Sequence, residues 1–298
     1  PQNPSVCLGD SVELSIGNYS LEFDGNNDNV TNTGFDGIFN SFSFTTKAYI
    51  NSLSPYSTLF YWGVEAGGSN SYSRTIDLSV DGINFNPPKL RANLNYAYGL
   101  AGTQSFPMNS WIDIAGVFDG NNQTLSLYVD GILVETVSTT VNQIEFQAND
   151  PYNIFGSGIN YSSGNFQNHF DGNIDDLAFW NTALTQQEIQ NLISCPPSGN
   201  ENNLISYWNF EEGTGNTTSN LSNSITGNLN GAIFSQNVPN TCNSGGNILW
   251  STNQTTPSIT VTPSQTTTYS VNVDNAIGTC QDSVTVQVNS VQVDLGPD

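Results

Sequence analysis

Residues 170–192 read FDGNIDDLAFWNTALTQQEIQNL. Asp171, Gly172 and Asn173 predict a turn. Residues 174–180 then alternate as a strand, with Asp175, Leu177 and Phe179 on one face and Ile174, Asp176, Ala178 and Trp180 on the other. Thr185 opens a capping box that Glu188, three residues on, can close. Leu184 and Ile189 have the spacing of a hydrophobic staple. A helix of about two turns is too short to stand alone in water, so this one must lie on a sheet. Asp176 shares its predicted face with Ile174 and Ala178, a costly place for an unpaired charge. A buried cation or backbone amides would remove that cost.

The remaining composition agrees with a sheet protein. Charged residues are 10 % of the chain and hydrophobic ones 36 %, yet aromatics reach 11 %. Asn, Ser, Thr and Gly fill the difference, as in folds made of many short strands with polar turns. The net charge is −22, with Lys47, Arg74, Lys89 and Arg91 facing 26 acids. Such a surface excludes nucleic acid, whose phosphates need basic partners, and disfavours anionic membrane. It suits solubility in a salty exterior. There is no apolar run of about 18 residues, so no membrane span is expected. Four cysteines, Cys7, Cys195, Cys242 and Cys280, lack metal-type spacing and point to disulfides in an oxidising exterior. Three pairings are open on spacing alone. No leader is legible, and the abrupt start and stop are those expected of a piece of something longer.

Taken in order, 4–16 is a turn followed by an alternating strand. Further strands are predicted at 42–50, 59–64, 74–80 and 89–97. Residues 111–118, 124–129 and 132–137 form two hairpins around Asp119-Gly120 and Asp130-Gly131. Residues 153–158, 174–180 and 204–210 complete the central set. Strands at 247–251, 256–263, 266–273 and 281–288 follow.

Several of these segments resemble known families. The 170–192 stretch is similar to the G-x-IDD signature near the end of laminin-G-like, concanavalin-like jelly rolls. Residues 19–30 resemble the FDG-x-x-D-x-V entrance strand of that family. Residues 111–131 match its W-x-x-I-A-x-x-(Y/F)-D-G…L-Y-(V/I)-D-G hairpins, the most specific part of the resemblance. The YW-x-F-(D/E)-E-G-x-G strand, first in many such domains, stands last here at 207–215, so the strand order looks circularly permuted. Residues 4–16 resemble the opening of small Ig-like repeats in secreted surface proteins of Bacteroidota, and their continuation comes only at 247. The resemblance therefore implies an all-β chain: a concanavalin-like jelly-roll β-sandwich inserted into a small Ig-like β-sandwich. Residues 1–17 and 244–290 would form the Ig-like domain, 18–243 the jelly roll, and 291–298 a linker to a following repeat. Insertion at an exposed turn is tolerated when the guest's ends lie close together. In that arrangement Cys7–Cys280 would lock the host halves and Cys195–Cys242 would tie the permuted tail to the body. Trp111, Trp180, Trp208 and Trp250 are expected in the cores.

No catalytic constellation is legible. The E-x-D-x-x-E strand of some concanavalin-like hydrolases is missing, since Asp113 and Glu145 lack the second and third acids. Nucleophile-elbow, zinc and P-loop motifs are also missing. The single histidine, His169, reads as a strand-end residue. Asp24, Asn26 and Asp28 have the D-x-N-x-D spacing that wraps hard cations. With Asp176, and Glu212 further off, they are the expected ligands of a structural Ca²⁺, which related domains often carry. Tyr61, Trp62, Arg91, Asn95, Tyr96, Tyr152 and Asn153 are the expected sugar-binding set, joined by Tyr98 and Tyr161. There aromatic stacking would combine with a few directed hydrogen bonds. One of Tyr61 and Trp62 must face each way.

These readings lead to a non-catalytic extracellular recognition module of a large bacterial cell-surface adhesin, exported to the surface and tied to attachment or gliding. It would bind a glycan or another surface ligand, with neighbouring Ig-like repeats in the same chain and neither nucleic acid nor membrane as partner. A carbohydrate-binding accessory of a polysaccharide-degrading enzyme, or a purely structural filament decoration, are the alternatives.

Overall fold

A computed structural model describes residues 5–15, 19–52, 57–63, 72–73, 75–82, 89–94, 98–101, 106–146, 152–160, 163, 165–239, 247–256, 258–274 and 279–289. The chain divides into two compact units, Pro1–Asn18 with Asn240–Asp298, and Tyr19–Pro239.

The smaller unit is a pair of sheets. Ser5–Cys7, Thr279–Asn289, Thr267–Asp274 and Asn247–Trp250 lie side by side in that order, and Val12–Ser15 pairs with Ser258–Val261. The first residues of the chain thus supply one strand to each sheet, although over 230 residues separate them from their partners. Leu14, Ile248, Trp250, Ile259, Val261, Val271, Val284 and Val286 close a single apolar core. The Trp250 indole donates to Thr256 O at 2.8 Å, which satisfies its only polar atom.

One expected crosslink in this unit is corrected. Cys7 lies opposite Asn289 in a parallel pairing, whereas Cys280 lies opposite Val273. Nine residues of strand put roughly 30 Å between Cys7 and Cys280, and a disulfide spans at most about 7 Å between Cα atoms. Cys7 carries a free, exposed thiol. Cys195 takes part in a disulfide, and its expected partner, Cys242, lies outside the described residues.

The larger unit is a two-sheet sandwich in which the neighbours in each sheet are antiparallel. One sheet runs Tyr98–Ala101, Lys89–Leu94, Thr75–Asp81, Ser57–Gly63, Tyr152–Phe155, Asn29–Thr31, Thr226–Asn230, Thr217–Ser219. The other runs Ile132–Ser138, Thr124–Val129, Trp111–Asp119, Ser41–Ser52, Asp171–Trp180, Ser20–Asp24, Ile233–Ser235, with Leu204–Trp208 added beside Asp171–Trp180. The tail strands therefore return to pair with the entrance: Thr226–Asn230 against Asn29–Thr31, and Ile233–Ser235 against Ser20–Asp24. Asp130 and Gly131 both take positive φ, 49° and 71°, as an Asp-Gly hairpin turn requires.

The core between the sheets is aromatic. Trp62 stacks on Phe35 at 4.9 Å and meets Phe179 at 4.8 Å, while Phe155 meets Trp208 edge-on at 4.9 Å. Trp111 departs from its expected place. It is only half-buried, with its indole donating to Asn237 Oδ1 at 3.2 Å.

The opening stretch folds as a strand, Asp171–Trp180, and a helix, Gln186–Ser194. Both halves of the capping box form: Thr185 accepts from Glu188 N, and Glu188 accepts from Thr185 N at 2.7 Å. Leu184 and Ile189 are buried together with Ala115, Val117, Ala178, Trp180 and Tyr207 beneath the helix. The alternation, however, is broken. Along Ser41–Ser52, Asp175 pairs with Lys47 and Ala178 with Thr45, so three steps on one strand face two on the other. This is a bulge, with Asp176 at φ 49°. It places Ile174 in the inter-sheet core with Leu177 and Phe179, not on the face of Ala178 and Trp180.

Candidate functional site

The two outer faces of the sandwich differ. One is covered by the helix and holds a buried charge cluster. Lys47, one of the four cations of the chain, is 5 % exposed. Its ammonium donates to Asp113 Oδ1 and, at 3.2 Å, to the helix carbonyl Ile193 O. Asp176 accepts from the Tyr207 hydroxyl at 2.6 Å. Asp175 is 4 % exposed, with Oδ1 accepting from Asp176 N at 2.8 Å. Burial, followed by the charge of Asp176 and Glu211, pushes the Asp175 carboxyl well above its ordinary value. Burial raises Asp176 too, against the pull of Lys47 and the Tyr207 hydrogen bond. Burial draws Lys47 down, but Asp113, Asp176 and Asp175 together hold it above the usual lysine value. The cation that relieves Asp176 is an ammonium of the chain itself. The narrow cleft lined by Thr45, Lys47, Asp113, Asp176, Ile189 and Leu192 has room for about one water molecule.

The expected Ca²⁺ ligands do not converge. Asp24 Oδ1 accepts from Asn26 N at 2.8 Å, and the Asn26 amide donates back to Asp24 O and Oδ2. Asp28 Oδ2 accepts from Asp24 N at 2.9 Å. The hydrogen bonds from Asn26 hold the Asp24 carboxyl below its ordinary value, while burial raises Asp28. The loop is closed on itself by hydrogen bonds. Asp176 sits beneath the helix, and Glu212 accepts from Ser219 N at 2.6 Å and Thr218 Oγ1 at 3.1 Å. The five residues occupy three places and do not fit one cation. Among the described residues no three His, Cys, Asp or Glu side chains form a metal-holding group.

The other outer face belongs to the sheet containing Thr75–Asp81. Ile76, Leu78 and Val80 enter the core, so Asp77, Ser79 and Asp81 point away from it. From the neighbouring strand Lys89–Leu94, Leu90, Ala92 and Leu94 enter the core, and Arg91 and Asn93 join the acids outside. Register sets Tyr61, Asp77 and Asn93 in one row and Ser79 and Arg91 in the next. A hydrogen-bonded relay runs through them. Asn93 Nδ2 donates to Asp77 Oδ2 at 2.8 Å, Arg91 Nη2 to Asn93 Oδ1 at 3.4 Å, and Arg91 Nη1 to Asp81 Oδ2 at 3.1 Å. Asp77 and Asn93 are 7 % and 6 % exposed, and the Arg91 side chain is 27 % exposed. Arg91 is thus the most exposed group of this relay. Burial pushes Asp77 up to about 7, against the Asn93 hydrogen bond and the Arg91 charge.

Of the expected sugar-binding set, Arg91 belongs to this layer. Tyr61 and Trp62 do face opposite ways, but neither is a platform, because they are 1 % and 0 % exposed. Tyr61 packs with Ile154 and Ile159 on the outer face, and Trp62 is core. Asn153 is buried on the core side opposite Trp62, its carbonyl accepting from Asn32 N and Nδ2 at 3.1 Å. Asn95, Tyr96 and Tyr161 lie outside the described residues, as do the side chains of Tyr152 and Tyr98. Sequence reasoning missed Asp77, Asp81 and Asn93. For Asp77 and Asp81 the signal was present in the Thr75–Asp81 alternation, where every second residue is polar. Lys47–Asp113 left no local signal beyond the rarity of a lysine inside an apolar strand.

The family described as the concanavalin A-like lectin/glucanases superfamily, of laminin G type, matches residues 24–190, more than half of the chain. The chain belongs to this superfamily. Two solved structures illustrate how far the superfamily fold carries. A Bacteroides ovatus protein, provisionally described as carbohydrate binding, is 15 % identical with a TM-score of 0.59, over 74 % of this chain and 60 % of that one. The heptameric SAP-like pentraxin of Limulus polyphemus is 14 % identical with a TM-score of 0.53, over 77 % of this chain and 99 % of that one. The chain spans 60 % of the length of the Bacteroides ovatus protein. At these identities the likeness is one of fold. No curated protein matches the sequence. No helix among the described residues is long and apolar enough to cross a membrane.

Proposed function

We propose that this member of the concanavalin A-like superfamily is a non-catalytic glycan-recognition module of an extracellular, adhesin-type surface protein. The larger unit recognises the ligand. The smaller unit is an Ig-like repeat of the kind found in Bacteroidota surface proteins, and it carries the larger one between neighbouring repeats. The observation that carries the reading is the Asp77–Asn93–Arg91–Asp81 relay. It is a fixed, buried layer of donors and acceptors on the sheet face away from the helix, and it holds the partly exposed Arg91 guanidinium where a directed hydrogen bond to a sugar hydroxyl would cost little ordering. The carbohydrate description of the Bacteroides ovatus structure supports the ligand class. Carboxylate spacing supports recognition over hydrolysis. Asp77 and Asp81 stand four residues apart on one strand, roughly 13 Å, whereas glycosidase pairs stand about 5–9.5 Å apart.

A glycan array probed with the purified chain tests this, in Ca²⁺ and again in EDTA. Saturable binding to at least one glycan is expected, weakened about tenfold or more by Arg91→Ala and unchanged by EDTA. Absence of binding in both buffers, or binding indifferent to Arg91→Ala, would overturn it.

A further inference from the structure

We infer that the recognition layer takes an uncharged glycan and discriminates against acid-bearing ones such as sialylated, sulfated or uronate sugars. The inference rests on the recognition reading above. A protein captures a carboxylate or sulfate best with a guanidinium fork presented to it in parallel. Arg91 is the guanidinium of this layer among the described residues, and its charge is already paired: Nη1 donates one N–H to Asp81 and Nη2 one to Asn93. Asp81 is enclosed, its side chain 1 % exposed, so the ion pair is held inside the layer and resists exchange for a ligand anion. The other cation beside it, Lys89, stands opposite that same Asp81 in register and is itself engaged. Lys47 is buried beneath the helix on the opposite face with Asp113. Arg74 lies outside the described residues.

An approaching anion also meets the field of a chain with 26 acids against four cations. A neutral sugar has no such cost. Its hydroxyls both donate and accept, which suits contact with a partly exposed guanidinium whose charge is already paired.

The test uses matched pairs of immobilised glycans that differ only in a terminal acid, for example a galactose-terminated glycan and its sialylated form, with the intact chain. At low salt the neutral form should bind about five- to tenfold tighter, the size of one like-charge contact near a wet surface. The gap should narrow as salt rises to several hundred millimolar, because screening weakens repulsion. Equal or tighter binding of the acid-bearing form at low salt would overturn the inference and leave glycan recognition standing. Binding to neither form would remove both.

Discussion

The Tyr207 hydroxyl donates to Asp176 Oδ1 at 2.6 Å, on a carboxylate that the Lys47 ammonium also stabilises by charge. Tyr207 comes from Leu204–Trp208, Asp176 from Asp171–Trp180 and Lys47 from Ser41–Ser52. Three strands distant in sequence thus meet at one buried proton-and-charge centre, which the Gln186–Ser194 helix closes through Ile193 O.

Removing the cation should be the costliest change there. Lys47→Met leaves Asp113 and Asp176 without their counter-charge and should destabilise the larger unit by roughly 3–5 kcal/mol. Tyr207→Phe should cost about 1.5–3 kcal/mol, the range for a hydrogen bond to a charged group. Urea unfolding at pH 7 measures both. A Lys47→Met loss below about 1 kcal/mol would show that the cluster is not held by its lysine.

Asp77 sets a pH dependence of definite sign. Its carboxyl is raised from 3.8 to about 7 in the folded chain, so the folded state binds this proton more tightly than the unfolded state does. Stability from this group is therefore greatest at low pH. It falls as pH rises from about 4 to about 7, by on the order of 4 kcal/mol at most. Asp113, Asp175 and Asp176 are shifted the same way. Asp77→Asn should flatten the slope between about pH 4 and pH 7 relative to the parent. Identical slopes in the two proteins would rule Asp77 out as the source.

The helix start offers a smaller and cleaner change. Thr185→Ala removes the oxygen that accepts from Glu188 N and should cost about 1 kcal/mol. Thermal melts compare the variant with Thr185→Ser, which keeps the oxygen and should melt near the parent.

Gly172 should tolerate no side chain. It takes φ 152°, and a Cβ there would lie 2.0 Å from Tyr49 O on the neighbouring strand. That neighbour is backbone and cannot swing aside. Gly172→Ala should destabilise by at least about 2 kcal/mol. At Gly215, φ 99°, nothing lies within 4 Å of the place a methyl would take, so alanine there should cost only the left-handed backbone penalty, about 1–2 kcal/mol. Equal losses at the two sites would show that the contact with Tyr49 is not what matters.

Local signals carried most of the architecture. The Thr185–Glu188 box, the Leu184 and Ile189 staple and the Asp130-Gly131 turn each depend on residues within five positions of one another, and each forms as read. The alternation of Thr75–Asp81 likewise declared two faces, one entering the core and one turned away from it. The bulge at Asp175 and Asp176 was not legible. A bulge is defined by two residues facing one on a partner strand, and that partner, Lys47 to Thr45, lies about 130 residues away. One inserted residue reverses the side chains on one side of it relative to the other, which is why simple alternation puts Ile174 on the wrong face.

The same distinction separates the charged residues. In the sequence, the D-x-N-x-D run at Asp24, Asn26 and Asp28 has the look of a cation loop, and Asp176 that of a further ligand. Spacing shows which oxygens are near in the chain but not where their hydrogen bonds go. The loop satisfies its own carboxylates, and Asp176 finds Lys47 and Tyr207 instead. By itself the sequence determined that this is an all-β chain with a capped helix on a sheet, because those features arise from short-range periodicity and turn chemistry. Only the tertiary structure decided which acid meets which base, and that Tyr61 and Trp62 are buried while Arg91 reaches the surface. Charge pairing and burial depend on strands brought together across the sheets, and no local spacing encodes that.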